Sequence, residues 1–336
     1  MQIGPLDTSK DIVVIAEIGN NHEGDAKLAE EMVIQAAAAG AHAVKFQSID
    51  PRLLIAPDQP ERIAQLDRFK LSQESMSRLA AVAHAEGLEF LSTPFYLDAV
   101  NELDPLVPAF KIASGDNDFI PLLEKIARTG KPIIMSCGMV DLETIACSGR
   151  YIRNVWQEIQ KPSEIALLHC VSSYPTPIEE ANLRAIQTLA PLADVVGYSD
   201  HTLGIEAAVA AAAVGARIIE KHFTLDKNQS DFRDHQLSAD PTELKTLCEQ
   251  VKRVNVMLGD GKKSQMPCEV SITPVIRRSI AAAHNLSKGA TVQWEDLGWL
   301  RPGDGLPPGQ EARLLGRTLL RNVAAGQRIM PEDCEA

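Results

Sequence analysis

The 336-residue chain has no CxxC pair. Its six cysteines (Cys137, Cys147, Cys170, Cys248, Cys268 and Cys334) are scattered, at spacings unlike a zinc knuckle or a disulfide framework. Reduced, mostly structural thiols are expected. The longest apolar stretch, Ala207–Ala216, is Ala-rich and far short of the roughly 20 residues that cross a bilayer. The opening MQIGPLDTSKDIVVIAEIG has a polar lead and one short strand-like run, without the basic start of a signal peptide, so a soluble, cytoplasmic protein with no membrane partner is expected. No basic run or stripe is present and the net charge is −12, which argues against nucleic acid as a partner. An anionic small substrate would therefore need lysines and arginines of its own. The glycine fingerprint of a dinucleotide-binding turn is also missing, because EIGNNHEGD has the wrong spacing.

What the chain does have is a repeated rhythm of short apolar run, turn and helical segment, and 45% hydrophobic residues to bury. Eight strand-like runs start at Ile12, Ala43, Glu89, Ala109, Pro132, Ile165, Asp194 and Arg217. Helix-like segments lie between them, most closing on a glycine suited to a C-cap. Strands alternating with helices imply right-handed βαβ units and a parallel sheet, and eight such units fit a closed α/β (β/α)₈ barrel. The rhythm stops near Leu258. The expected organisation is a barrel over residues 1–258, a Gly/Lys/Pro-bearing linker over 259–274, and a small, mostly β domain over 275–336.

In such a barrel the chemistry belongs at the C-terminal ends of the strands. Every run does end in polar residues: Glu17; Lys45 and Gln47, two apart and so on one face; Thr93; Lys111 and Ser114; Ser136; Ser172 and Tyr174; Ser199 and His201; Glu220 and His222. A single Ser or His there reads most simply as a turn or core residue. Repetition at all eight tips does not. Adjacent strands lie about 4.8 Å apart, so His201 and His222 can offer two imidazoles to one divalent first-row metal ion. Buried lysines at 45 and 111 are costly unless an anion pairs with them, and with nearby hydroxyls and glycines they suggest a phosphate or phosphate-carboxylate ligand.

These residues resemble the sialic acid synthases, which condense phosphoenolpyruvate with an N-acylated hexosamine. The resemblance covers nearly the whole chain and rests on AEIGNNHEG (16–24), KFQ (45–47), FLSTPF (90–95), KIASGD (111–116), GKPIIMSCGM (130–139), HCVSSYPTP (169–177), GYSDHT (197–202), EKHFTLDK (220–227) and RPGDG (301–305). It implies that the tail is an antifreeze-like (SAF) domain and that His201 and His222 are manganese ligands, with Mg²⁺ or Co²⁺ as alternatives. It implies phosphoenolpyruvate contacts from Lys45, Thr93, Lys111, Ser114, Ser136, Ser172 and Ser199. Glu17, Gln47, Tyr174, Asp234 and Arg301 fall at positions around the sugar and the reacting carbons, with Arg301 supplied by the partner in a domain-swapped homodimer. The candidate catalytic residues are Glu17, Lys45, Lys111 and Glu220.

The acceptor stays open: N-acetylmannosamine is the default, with legionaminic, pseudaminic or spore-coat-type sugars as alternatives. Two departures from the family pattern stand out. Ser172 occupies a position where some members have Asn, and FRDHQLS from Phe232 replaces a Gly-Pro before the aspartate, so Arg233 bears on what the sugar carries there. A heptulosonate or octulosonate synthase would need a second phosphate site, and the sequence displays no obvious extra basic cluster. A Schiff-base aldolase on the same barrel and a non-enzymatic scaffold are the remaining readings; the last leaves eight polar strand tips unexplained.

Overall fold

The computed structural model describes residues 1–335. A short antiparallel pair, β1 (Gln2–Ile3) and β2 (Leu6–Asp7), precedes eight parallel strands. These are β3 (Val13–Gly19), β4 (Ala43–Ser48), β5 (Glu89–Pro94), β6 (Phe110–Ile112), β7 (Ile133–Ser136), β8 (Ile165–Cys170), β9 (Val195–Asp200) and β10 (Ile218–His222). They hydrogen-bond in the order β5-β4-β3-β10-β9-β8-β7-β6, and β5 and β6 lie side by side without a ladder, so the barrel is nearly closed. The weak seam falls where β6 is only three residues long.

The strands are buried on both faces, and period-2 alternation sorts their residues into two layers. Outward-facing Val14, Ala16, Ile18, Val44, Phe46, Phe90, Phe110 and Ile219 pack against the helices. Inward-facing Val13, Ile15, Ala43, Leu91, Ala109, Ile134, Ala166, Leu168, Val195 and Ile218 fill the lower barrel. Helix starts are fixed locally. Asp25, Ser72 and Asp141 cap the helices Ala26–Ala38, Gln73–Ala85 and Leu142–Glu158, and Asp240 forms a reciprocal capping box with Glu243 at Pro241–Leu258.

The residues before β3 are not merely a polar lead. The β1–β2 pair folds under the barrel and inserts Ile3, fully buried, into the lower interior cluster, with Met1 and Leu6 packed beside it. A two-residue strand carries almost no sequence signal, because its periodicity is too short to count.

The chain divides into two compact units, Met1–Gly259 and Asp260–Ala336. In the second, the segment expected as a linker contains helical turns at Pro267–Glu269 and Thr273–Ile276. Its sheet is small: β11 (Ser279–Ala282) pairs antiparallel with β12 (Leu297–Leu300), and isolated bridges such as Leu286 to Val323 and Thr291 to Thr318 supply the rest. The unit has its own core, built from Ile280, Leu286, Val292, Leu314, Val323 and Ile329 among others. No helix among the described residues is long and apolar enough to cross a membrane.

The N-terminal plug gives a first test. Ile3→Ala empties a sealed apolar site and should lower the stability of the barrel by about 2–5 kcal/mol, read as a fall in unfolding midpoint. An unchanged midpoint would show that the plug is dispensable.

Candidate active site

Above the apolar floor each strand turns a further side chain inward, polar on seven strands and a thiol on β8. Glu17, Lys45, Thr93, Lys111, Ser136, Cys170, Ser199 and Glu220 form one ring, and all eight are buried. Most of the barrel mouth opens into a cavity of about 390 Å³ lined by this ring together with Gln47, Ser114, Ser172, Tyr174, His201, His222 and Asp234. Every barrel residue singled out from the sequence therefore meets in one place. Arg301 does not: it belongs to the second unit, exposed at the end of β12, beside Asp304, Arg321 and Arg328.

Four charges share the ring. Lys45 Nζ is 2.7 Å from Glu17 Oε2 and 3.8 Å from Glu220 Oε2, and Lys111 Nζ is 3.7 Å from Glu220 Oε1. The two carboxylates respond oppositely to this shared surrounding. Burial pushes the Glu17 carboxyl up, against the attraction of Lys45 and with the charge of Glu220 adding to the rise. Burial acts on Glu220 in the same sense, but Lys111, Lys45 and the Ser199 hydroxyl, which donates to it at 2.8 Å, outweigh it and hold this carboxyl low. Lys45 is likewise raised because Glu17 and Glu220 overcome the cost of its burial, whereas burial dominates at Lys111 and lowers it. Glu220 is thus the fixed counter-charge and Glu17 the carboxyl that takes a proton first.

Hydroxyls and backbone gather around Lys111. Its ammonium donates to Ser136 Oγ at 2.7 Å and to the Ile112 carbonyl at 3.1 Å. The Gly138 amide donates to Ser114 Oγ at 3.1 Å, and Asn117 Nδ2 donates to the carbonyls of Ser136 and Gly138. A Cβ at Gly138 would lie 2.4 Å from Ser172 Oγ and 2.8 Å from Ser114 Oγ, so only glycine lets those two hydroxyls close in. Ammonium, three serine hydroxyls and a close backbone are the groups that hold an oxyanion. A second network stands beside this one: Gln47 Nε2 donates to Glu17 Oε1 at 3.0 Å, and Asn20 Nδ2 donates to Gln47 Oε1 at 2.9 Å.

The two histidines face each other with ring centroids 5.4 Å apart. His201 Nδ1 contacts the Val171 carbonyl at 2.8 Å, and since a carbonyl only accepts, Nδ1 carries a proton, which leaves Nε2 as the nitrogen that could ligate; burial disfavours a second proton on this ring, but Cys170, the Val171 carbonyl and Glu220 outweigh it and pull its pKa up. Burial, followed by the charges of His201 and Lys45, holds His222 well below the ordinary histidine value, so it is neutral near pH 7. Its buried Nδ1 has no hydrogen-bond partner among the described residues. Two imidazoles facing each other, each able to offer a ring nitrogen when neutral, suit a divalent ion. Among the described residues no group of three or more His, Cys, Asp or Glu side chains is arranged to enclose one, so the remaining positions of an ion held here would stay open to ligands other than protein. Tyr174 stacks on His201 at 4.1 Å between centroids, and the Arg233 guanidinium lies 4.7 Å from the centre of the Tyr174 ring. Burial raises the Asp234 carboxyl, with Arg233 opposing.

Reading strand tips from sequence missed several lining residues. Cys170 is the ring residue of β8, two positions after Leu168, and counting inward positions instead of polar ones would have found it. Asn20, Arg62 and Phe232 arrive from loops and an inserted helix, for which strand periodicity gives no signal.

The NeuB family pattern matches residues 32–263, and the SAF domain pattern matches residues 277–335. The chain is 44% identical over 314 residues to an uncharacterised protein of Methanocaldococcus jannaschii, covering 92% of this chain and 89% of the other. It is 37% identical to the N,N'-diacetyllegionaminic acid synthase of Legionella pneumophila, covering 99% and 98% of the two chains. Among solved structures, the N-acetylneuraminic acid synthetase of Leptospira borgpetersenii in complex with citrate aligns with a TM-score of 0.74 at 34% identity, over 81% of this chain and 95% of that one. The chain belongs to the NeuB family and carries a SAF domain after its barrel.

Proposed function

We propose that the barrel condenses phosphoenolpyruvate with the open-chain aldehyde of an N-acylated amino sugar, N-acetylmannosamine first among them, giving a nonulosonic acid and inorganic phosphate. The observation that supports this most is the meeting of buried Lys45, Lys111 and Ser136 with half-buried Ser114 and Ser172, next to Glu17 and Gln47. A diacetamido-trideoxyhexose acceptor, as in legionaminic acid synthesis, is the second reading, favoured by the Legionella pneumophila relative.

In this reading Lys45, Thr93, Lys111 and the serines hold the phosphate and carboxylate of phosphoenolpyruvate. Its C3 forms the new bond to the aldehyde carbon, and the aldehyde oxygen takes up a proton. C2 becomes cationic and gains a water, which loses its proton. The C2 hydroxyl then gives up its remaining proton, the bond from C2 to the phosphate oxygen breaks, and the departing phosphate takes up that proton, leaving a C2 ketone and free phosphate. Glu17, the buried carboxyl nearest to titrating, faces the developing cation and exchanges these protons. Glu220 keeps the two lysines in place while charge moves. Gln47, Tyr174 and Asp234 orient the sugar. His201 and His222 would hold a divalent ion, Mn²⁺ first and Mg²⁺ or Co²⁺ as alternatives. Bound there, the ion supplies Lewis-acid polarisation of the aldehyde. Arg301, in this reading, completes the site of a second copy in a domain-swapped homodimer.

Four outcomes test these assignments. Phosphate release from phosphoenolpyruvate with manganese should depend on an amino sugar; a panel of N-acetylmannosamine and diacetamido-trideoxyhexoses identifies the acceptor, and sugar-independent release would contradict a synthase. Chelator-treated protein should stay folded, lose turnover and regain it with manganese, and His201→Ala and His222→Ala should each lose manganese binding by calorimetry. Full turnover after exhaustive metal removal would sink the metal assignment. Lys111→Ala should weaken phosphoenolpyruvate binding by about 2–5 kcal/mol, the usual cost of stripping one partner from a desolvated charge pair; unaltered affinity would place the phosphate elsewhere. Finally, His201→Ala and Arg301→Ala, each nearly inactive alone, should recover roughly a quarter of wild-type activity when refolded as an equal mixture, because half the dimers then carry one intact site. A mixture as inactive as its parents would mean that Arg301 does not serve a partner.

A further inference from the structure

One buried ion pair of the barrel takes no part in the inner ring. Lys221 and Asp200 stand opposite each other in the β9–β10 ladder, on the face turned away from the ring, and their side chains are 1% and 0% exposed. Each comes immediately before a histidine of the site, Asp200 before His201 and Lys221 before His222.

The contacts of this pair close into a clasp. Lys221 Nζ donates to Asp200 Oδ2 at 2.9 Å and to the Thr202 carbonyl at 2.6 Å. Asp200 Oδ1 accepts from the Thr202 amide at 2.9 Å and from the Thr202 hydroxyl at 2.8 Å. The ammonium of the residue before His222 therefore grips the chain on both sides of His201. All three residues are buried, so water does not compete for these bonds.

His201 lies where the sheet stops holding the chain. β9 ends at Asp200, and its last rung to β10 is Asp200 with Lys221, so His201 is one residue past the ladder. The chain then turns away through Gly204, at φ +75. The His201 carbonyl accepts from the Thr176 amide at 2.9 Å, which ties it to the loop after β8 and not to β10. His222, by contrast, is still in register with Glu17 of β3. Past the last rung, the bond from Lys221 to Thr202 is what joins the His201 segment to the strand that carries His222.

Folding energy alone explains the pair weakly, because exchanging a buried ion pair for apolar residues of similar volume is often neutral or stabilising. What the charges supply is direction: short, charge-assisted hydrogen bonds aimed at fixed acceptors set backbone positions that apolar contacts leave looser.

We propose that Lys221, Asp200 and Thr202 are positioning residues for the metal ion, presetting the spacing of the His201 and His222 imidazoles, whose ring centroids are 5.4 Å apart, before an ion binds. The inference rests on the metal assignment proposed above and adds to it the residues that hold the two ligands ready without themselves ligating.

The test is manganese titration by calorimetry on the full-length protein. The double variant Asp200→Asn/Lys221→Met removes both charges together, so neither is left buried and unpaired, and it keeps an acceptor for the Thr202 amide. Its manganese Kd should rise about tenfold or more, the usual effect of losing groups that orient metal ligands. Phosphoenolpyruvate affinity measured without metal should stay unchanged. Ile3→Ala, at the far end of the barrel, is the control for lost stability alone, and its manganese Kd should match wild type. A folded double variant that binds manganese as wild type does overturns the inference and leaves the metal assignment standing. Phosphoenolpyruvate affinity that falls together with manganese affinity also overturns it, because the barrel mouth would then have loosened as a whole. If the double variant does not fold, Thr202→Val decides, since it removes a single hydroxyl donor from the clasp: a manganese Kd raised about threefold, within the range of one hydrogen bond, supports the inference, and an unchanged Kd overturns it. Wild-type protein that binds none of Mn²⁺, Mg²⁺ and Co²⁺ overturns the metal assignment and this inference with it.

Discussion

Two ammonium groups and two carboxylates lie buried in a barrel whose lower interior is otherwise aliphatic, and the rest of the site follows from how that charge is accommodated. Isolated, each of the four would cost several kcal/mol to desolvate. The pairing of opposite charges across the ring, Glu17 with Lys45 and Glu220 with both lysines, makes burial tolerable. It also makes the four unequal. Glu220 has two cations and a serine hydroxyl, so it stays charged; Glu17 has one cation and an amide, so it is the group that can titrate. In the proposed condensation this one ring would provide a fixed counter-charge, a proton carrier and two cations for an oxyanion.

This arrangement depends on strand register more than on any loop. Glu17 pairs with Lys45, Ser199 with Glu220, and His222 with Glu17 in neighbouring ladders, so one-residue slips would turn these side chains outward into the helix layer. A rung further out, Lys221 and Asp200 form an ion pair at 2.9 Å on the opposite face of the same two strands, fully enclosed beneath the helices. The inner ring and this outer pair fix the tips of β9 and β10 from both sides, and the two histidines are the next residues along. The plug of Ile3 seals the other end of the barrel, which keeps water from reaching the ring from below.

Much of this was legible in the sequence because barrel strands obey a simple period. Eight apolar runs with polar tips specified the strands, and inward residues such as Lys45, Lys111 and Glu220 lay where alternation demands. What escaped notice did so for physical reasons. Cys170 is not polar enough to mark a tip. The β1–β2 pair is too short to show a period. Arg62 and Arg68, on the helix Pro60–Phe69 inserted after β4, look like ordinary exposed helix arginines until Phe232, far along the chain, packs on Phe69 and brings Arg233 beside them. The β content of the second unit is thinner than its composition suggests, because turns at Gly289, Gly309, Gly316 and Gly326 interrupt pairing after a few residues.

The central claim is that the inner ring, and not the neighbouring cavity lined by Arg62, Arg68 and Arg233, holds phosphoenolpyruvate. A crystal structure of the protein with phosphoenolpyruvate, collected without any sugar, addresses this directly. The account predicts the phosphate within about 3 Å of Lys111 Nζ and of the hydroxyls of Ser114 and Ser136, the reach of a charge-assisted hydrogen bond. Phosphoenolpyruvate seated among Arg62, Arg68 and Arg233, with Lys111 still bonded only to Ser136 and the Ile112 carbonyl, would contradict it.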